Sequence, residues 1–233
     1  VLKILETIRT SKKKIKFYQA STSEMYGNSK KNYQNQDTNF SPVSPYGVSK
    51  LYSHWMINVY RESYKLYAVS GILFNHESPR RGPTFVTKKI VQGLVRIKKG
   101  LQKKLTLGNL YAVRDWGHAK DYATSMWKIL QYKKPDNWVI ATNKETTVKE
   151  FANRVAKKLG FKIKWKGKGI YEKAINLDNN KTIIDIDKKF LRPTEVDFLR
   201  GDFSKAKRLL KWKPAYNTDD LIEDMISSEL EDF

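Results

Sequence analysis

The sequence predicts an α/β protein: a parallel sheet with crossover helices, followed by a smaller α+β part. Three observations predict it. Helix-like and strand-like segments alternate over the first part of the chain. The segment 67–75, YAVSGILFN, is almost continuously apolar, as a strand covered on both faces must be. Polar residues stand just past the carboxyl ends of two strands, in STSE and FNHESPRR. That edge is where open parallel sheets take their ligands.

The elements follow in order. Residues 1–10 place Leu2, Leu5 and Ile8 at helical spacing. IKFYQAS (15–21) is a short apolar strand that ends in small polar residues, and 29–41 is polar and loop-like. A long helix occupies 45–65. Ser44 caps its exposed N–H groups, and Pro45 at the first position gives up no hydrogen bond. At about 100° per residue, Val48, Leu51, Tyr52, Trp55 and Val59 cluster on one side, as a core face or an oligomer contact. Tyr46 and Lys50 stand one turn apart, roughly opposite that stripe. After SPRRGPT the character changes. A basic amphipathic helix over 84–99 is followed by a short strand in KLTLGNL, a helix over 118–132 and a strand in WVIAT. Then come a helix over 147–159, strands near 161–165 and 182–187, and two terminal helices. A boundary near residue 80 divides the chain into 1–80 and 81–233.

Composition removes several classes of function. A hydrophobic fraction of 40% fits a folded protein rather than a disordered one. The absence of cysteine excludes disulfides, thiolate catalysis and cysteine-ligated metal, and no metal site is expected. No apolar run has the length of a membrane span and no signal-peptide pattern occurs, so a cytoplasmic protein without a membrane partner is expected. The net charge of +21 comes mostly from scattered lysines, with one dense run at SKKKIK. Without an aromatic RNA-binding strand motif, zinc-finger spacing or recognition helix, it predicts no nucleic-acid partner.

Three segments therefore aim at one sheet edge: Thr22, Ser23 and Glu24; Tyr46 and Lys50; Asn75, His76 and Arg81. Taken singly, each has a structural explanation as a cap, an exposed carboxylate or a turn residue. Their convergence points to chemistry.

The motifs FYQASTSEMYG, SPYGVSKLY, GILFNHESPRRG, LGNL with RDWGHAKDY, and RPTEVD resemble the GDP-mannose 4,6-dehydratase family of the extended short-chain dehydrogenase/reductase superfamily. The likeness runs over nearly the whole chain, including DFSKAKRLLKWKP, which is common to the wider superfamily. Related glucose-nucleotide dehydratases carry Asp-Glu where this chain has Ser23-Glu24, which favours the mannose branch. The resemblance implies that 1–80 is the C-terminal part of a doubly wound, Rossmann-like NADP-binding sheet. It makes 81–233 mainly a sugar-nucleotide domain. The family's Gly-rich turn, where a pyrophosphate meets a helix N-terminus, does not occur in this sequence. The resemblance therefore reads the chain as truncated at its N-terminus.

The activity so implied is dehydration of GDP-mannose to GDP-4-keto-6-deoxymannose, with hydride passing from C4 to NADP and back to C6. Thr22, Glu24, Tyr46 and Lys50 take the catalytic positions. Tyr46, Lys50, His76 and Arg81 match cofactor positions. Asn75, Val86, Lys89, Gly108, Asn109, Arg114, Arg192 and Glu195 match substrate positions. A phenol ionises near pH 10, so a tyrosine base near neutrality needs about 4 kcal/mol of stabilisation. One cation such as Lys50 supplies only part of that, and the oxidised nicotinamide has to supply the rest. Arg114 and Arg192 offer guanidinium forks that match a diphosphate. The complete enzyme is expected to be a homo-oligomer, a dimer or tetramer. Two other readings stay open: another sugar-nucleotide enzyme, such as an epimerase or a glucose-nucleotide dehydratase, and an inactive truncated remnant.

Overall fold

The computed structural model describes residues 1–11, 13–29, 33–191, 196 and 198–231. In chain order the elements are α1 (Leu2–Thr10), β1 (Phe17–Thr22), α2 (Pro45–Tyr64), β2 (Ala68–Leu73), β3 (Asn75–Glu77) and α3 (Val86–Lys98). There follow β4 (Leu105–Leu107), β5 (Val113–Arg114), β6 (Trp116–His118), α4 (Ala119–Gln131), β7 (Asn137–Ile140) and β8 (Thr146–Thr147). The rest are α5 (Val148–Lys158), β9 (Ile163–Lys166), β10 (Lys173–Asn176), β11 (Thr182–Ile186), α6 (Ser204–Leu210) and α7 (Thr218–Glu231). They form two compact units, Val1–His76 with Asp115–Glu145 and Val196–Ala215, and Glu77–Arg114 with Thr146–Glu195 and Tyr216–Phe233. One crossing lies close to the boundary expected near residue 80. Residues 115–145 and 196–215 return to the first unit, because the later strand β7 pairs with β2.

The first unit is a parallel sheet of order β1-β2-β7. Phe17 pairs with Ala68 and Thr22 with Leu73, so β1 and β2 end level. Every residue of β2 is buried, as its unbroken apolar run requires. One core joins Val69, Leu73, Tyr122, Ile129, Trp138 and Trp212, and a second joins Met25, Tyr26, Ile72, Phe74 and Leu199. The outer edge of β1 carries no strand among the described residues.

Helix α2 decides between the two readings left open for its apolar stripe. Gly47, His54, Ile57 and Tyr60 are its buried residues, whereas Val48, Tyr52, Trp55 and Val59 are 49–55% exposed. The apolar stripe is therefore not a core face within this chain. The helix instead lays on the sheet the side that lets Lys50 reach the end of β1, where its Nζ donates to the Ala20 carbonyl at 2.9 Å.

Asp115 clamps three parts of this unit. Its carboxylate is fully buried and accepts from the Thr142 N–H (2.8 Å) and hydroxyl (2.7 Å), the Asn143 N–H (2.9 Å) and the Gly201 N–H (3.3 Å). Burial pushes its pKa up to about 6 against the pull of these donors. Asp115→Ala leaves buried donors unpaired and is expected to cost about 3 kcal/mol or more. Urea unfolding should show a lower midpoint at unchanged slope, with a smaller loss for Asp115→Asn.

In the second unit, α3, α5 and α7 bury Ile90, Leu94, Phe151, Val155, Leu221 and Met225. Thr147 and Glu150 form a reciprocal capping box at the start of α5. The sheet has order β4-β11-β10-β9. Sequence reading missed β10 and the short strands β3, β5, β6 and β8. The two- and three-residue strands lie below the length at which alternation is legible. No helix among the described residues is long and apolar enough to cross a membrane.

Candidate active site

In the first unit the catalytic candidates are assembled by two local structures. β1 ends at Thr22, whose hydroxyl accepts from the Glu24 N–H at 3.2 Å and caps a single 3₁₀ turn, Ser23–Met25. Across from it, Ser44 Oγ accepts from the Gly47 N–H at 3.0 Å and starts α2. Gly47 brings the two together. A Cβ at that position would stand 2.9 Å from the Glu24 carbonyl and 3.0 Å from Pro42. Only a residue without a side chain lets the first turn of α2 press this closely on the Glu24 turn.

Thr22 is buried, Glu24 is half-buried and Tyr46 is exposed. The Lys50 ammonium lies 5.6 Å from the centre of the Tyr46 ring while it donates to Ala20 O. Thr22, Glu24, Tyr46 and Lys50 thus share one end of the sheet. Asn75 and His76 come just after Leu73, the register partner of Thr22. The His76 ring stacks on Tyr122 at 4.8 Å, and its Nδ1 lies 2.9 Å from the Phe74 carbonyl, to which the N–H tautomer donates. Its imidazole plane is therefore fixed. Beneath the site runs a buried polar chain from Ser21 Oγ through Ser70 Oγ to His54 Nδ1, with both contacts at 2.8 Å. Burial lowers the His54 pKa to about 4.

The second unit holds most of the substrate candidates and one cofactor candidate. Arg81 forms an ion pair from Nε to Glu77 Oε2 at 2.9 Å and lies 3.5 Å over the Phe85 ring. The same Glu77 oxygen accepts from the Thr87 hydroxyl at 2.7 Å. Burial pushes the Glu77 pKa up, and Arg81 and Thr87 pull it back. Val86 opens α3, and Lys89, one turn on, places its ammonium 3.5 Å over the Phe190 ring. Burial, then the charge of Lys189, lowers the Lys89 pKa. Gly108 lies against Phe190: a Cβ there would stand 2.3 Å from its carbonyl oxygen. Asn109 Oδ1 accepts from the Tyr111 N–H at 2.9 Å, and Arg114 donates to the Val113 carbonyl at 2.9 Å. A cleft of about 410 Å³ is lined by Lys89, Gln92, Arg96, Lys104, Lys189 and Phe190. Arg192 and Glu195 lie outside the described residues.

Comparison with known proteins decides the family. The model of the family described as GDP-mannose 4,6 dehydratase matches residues 1–225. The chain belongs to the GDP-mannose 4,6-dehydratase family. It is 46% identical over 232 residues to the Dictyostelium discoideum GDP-mannose 4,6 dehydratase, covering 99% of this chain and 65% of that protein. Against the human protein the identity is 46%, covering 99% and 62%. Against the Vibrio cholerae GDP-mannose 4,6-dehydratase it is 46%, covering 98% and 65%. The chain thus spans somewhat under two thirds of the length of these relatives. Among solved structures it is similar to the dTDP-glucose 4,6-dehydratase of Bacillus anthracis in complex with NAD, with TM-score 0.81, 22% identity and coverage of 99% and 66%. It is also similar to RMD from Pseudomonas aeruginosa complexed with NADPH, with TM-score 0.83, 18% identity and coverage of 100% and 72%. At those identities the likeness shows the fold: an α/β unit with a parallel sheet.

In this member of the GDP-mannose 4,6-dehydratase family, three residues of RDWGHAKDY, namely Asp115, His118 and Asp121, support the fold. Asp115 is the clamp described above. His118 Nδ1 accepts from the Lys120 N–H at 3.2 Å at the start of α4. Asp121 accepts from the Ala215 N–H at 3.1 Å, and its carbonyl accepts from Trp212 Nε1 at 3.0 Å. Sequence reasoning missed Glu77, which holds Arg81, and Phe190, which receives Lys89. The i, i+4 spacing of Glu77 and Arg81 was a usable signal. Nothing local in the sequence couples Phe190 to Lys89.

Proposed function

We propose that this chain carries the chemistry-bearing residues of an enzyme that dehydrates GDP-mannose to GDP-4-keto-6-deoxymannose. The observation that carries the reading is the Gly47 contact. It sets the Glu24 carboxylate turn against the helix of Tyr46 and Lys50. An epimerase has no use for a carboxylate base at that place, whereas an elimination across C5 and C6 needs one.

The residues divide the work by their chemistry. Tyr46, beside the Lys50 ammonium, takes the proton of the C4 hydroxyl, and Thr22 bonds the C4 oxygen. Glu24 removes the C5 proton made acidic by the C4 ketone, then gives a proton to the departing C6 hydroxyl, which leaves as water. A nicotinamide, when bound, would supply the hydride store for C4 and C6, and the proton that Tyr46 took from the C4 hydroxyl goes back to C5, so that sugar and side chains finish in balance. Lys50 keeps donors beyond the one given to Ala20, and the fixed ring of His76 offers a second polar surface. With Tyr46 these would hold that group, in the NADP form, and Arg81 is the cofactor candidate of the second unit. In the second unit, the cleft at Lys89 and Phe190 combines cations with an aromatic face, suited to a guanosine diphosphate. Asn75, Val86, Gly108, Asn109, Arg114, Arg192 and Glu195 complete the proposed substrate set.

The same reading makes the protein a cytoplasmic homo-oligomer. Its support is the exposed stripe Val48, Tyr52, Trp55 and Val59, on a helix whose charged residues are Lys50, Arg61 and Glu62. In a chain of net charge +21, a nearly neutral apolar face is where two copies can meet.

Calorimetry on this chain tests the proposal. GDP-mannose is expected to bind more tightly than UDP-glucose, and NADP more weakly than micromolar, because no Gly-rich turn cradles its pyrophosphate. Preference for UDP-glucose would overturn the substrate reading. Micromolar or tighter NADP binding would overturn the expectation that the cofactor needs a Gly-rich turn.

A further inference from the structure

The second unit contains a charged surface that the proposed reaction does not use. β9 alternates in exposure. Ile163 and Trp165 are half-buried, and Trp165 Nε1 donates to Asn153 of α5 at 2.7 Å. Lys164 and Lys166 therefore stand on the opposite, open face. The antiparallel partner β10 sets Lys173 directly across from Lys166. Past β9, the chain turns through Gly167 and Gly169, both at positive φ, with Lys168 between them. A Cβ on Gly167 would lie 2.3 Å from the Tyr171 carbonyl. The tight turn this glycine permits leaves Tyr171 80% exposed at the end of the hairpin.

Like charges directly opposite on one sheet face destabilise the pairing. The neighbouring acids do not relieve this. Glu172 is buried and is held by Lys149 and by the Tyr111 hydroxyl. Asp178 lies 3.9 Å from Lys162. Among the described residues, no ion pair is made by Lys164, Lys166, Lys168 or Lys173.

We propose that the open face of the β9–β10 hairpin, with Lys164, Lys166 and Lys173, together with Lys168 and Tyr171 of its connecting turn, binds single-stranded nucleic acid. Lysines at alternate positions recur about every 6.8 Å along β9, a row matched to the successive phosphates of an extended strand. The exposed phenol ring of Tyr171, in the turn that joins the two strands, supplies a surface on which an unpaired base stacks. A membrane surface would need more apolar side chains beside the lysines than this face offers. The linear sequence hides the site because strand pairing, not a sequence run, brings Lys173 to Lys166.

Fluorescence anisotropy with a labelled oligouridylate tests the proposal on this chain. The triple variant Lys164→Gln/Lys166→Gln/Lys173→Gln is expected to lose about tenfold or more in affinity. Its log–log salt slope should be shallower by about 2, at roughly 0.7 per phosphate contact. A control triple, Lys3→Gln/Lys13→Gln/Lys98→Gln, removes the same charge elsewhere and should change affinity less than about threefold. Equal losses in both triples would reduce the effect to net charge and overturn the site. Tyr171→Ala should weaken oligouridylate binding about tenfold while leaving heparin binding unchanged. No effect on oligouridylate, or an equal effect on heparin, would overturn the nucleic-acid assignment. Lys166→Glu keeps the result independent of folding. It places opposite charges across the strands, so thermal stability should be kept or raised while oligouridylate affinity falls. Wild-type affinity in that variant would also overturn the proposal.

Discussion

Tyr46→Phe is expected to lower GDP-mannose turnover by about 10²–10⁴-fold, the usual cost of losing a positioned proton-transfer group, in the form of the protein that carries out the reaction. The ring, its place on α2 and its contact with Lys50 stay, so only the hydroxyl is removed. GDP-mannose affinity should remain within about threefold, because the substitution touches no group assigned to the nucleotide. Steady-state kinetics with a separate binding measurement would show a fall in kcat at nearly constant Kd. Near-normal turnover would remove Tyr46 from the mechanism. A parallel loss of affinity would place it in substrate binding instead.

Glu24→Gln is expected to be comparably severe but to stop the reaction at a different point. The amide keeps the size of the side chain and much of its hydrogen bonding, and the Thr22 cap uses the Glu24 backbone rather than its carboxylate. What is lost is the base for C5. Exchange of the C5 hydrogen with deuterated water should fall by about 10²–10⁴-fold together with product formation. Oxidation at C4 needs only the Tyr46 hydroxyl and the hydride acceptor, so a 4-keto sugar nucleotide still attached to its C6 hydroxyl should accumulate. Wild-type exchange and product formation would show that another group is the base and would return the epimerase reading to contention.

The two variants differ in how visible their sites were. Tyr46 and Lys50 are legible because helix geometry is local: a Ser-Pro start and a four-residue spacing put both groups on one face without reference to any other part of the chain. Thr22 and Glu24 follow from a strand end marked by small polar residues. The contact between the two groups rests on Gly47, and its necessity appears only once the Glu24 carbonyl is seen 2.9 Å from where a Cβ would be.

Where tertiary pairing decides, the local signal misleads or is silent. The apolar stripe of α2 reads equally as core or contact, and the sheet buries the other side, with His54, Ile57 and Tyr60. The specific-looking RDWGHAKDY motif turns out to carry a clamp, a helix cap and a tether, since Asp115 is 27 residues from Thr142 and 86 from Gly201. Phe190 meets Lys89, and Lys173 meets Lys166, through pairings that no run of residues announces. The division of the chain into two interleaved units belongs here too, because it depends on β7 joining β2.

By itself, then, the sequence determined most of the helices and long strands, the proposal of Thr22, Glu24, Tyr46 and Lys50 as catalytic candidates, and the family resemblance. Those depend on periodicity, caps and short spacings, all of which are properties of neighbouring residues. Tertiary structure alone decided which face of α2 is buried, which motif residues serve the fold, and which lysines face one another. Those outcomes depend on strand register and close approach between distant segments, where a single Cβ or a shift of one residue changes the result.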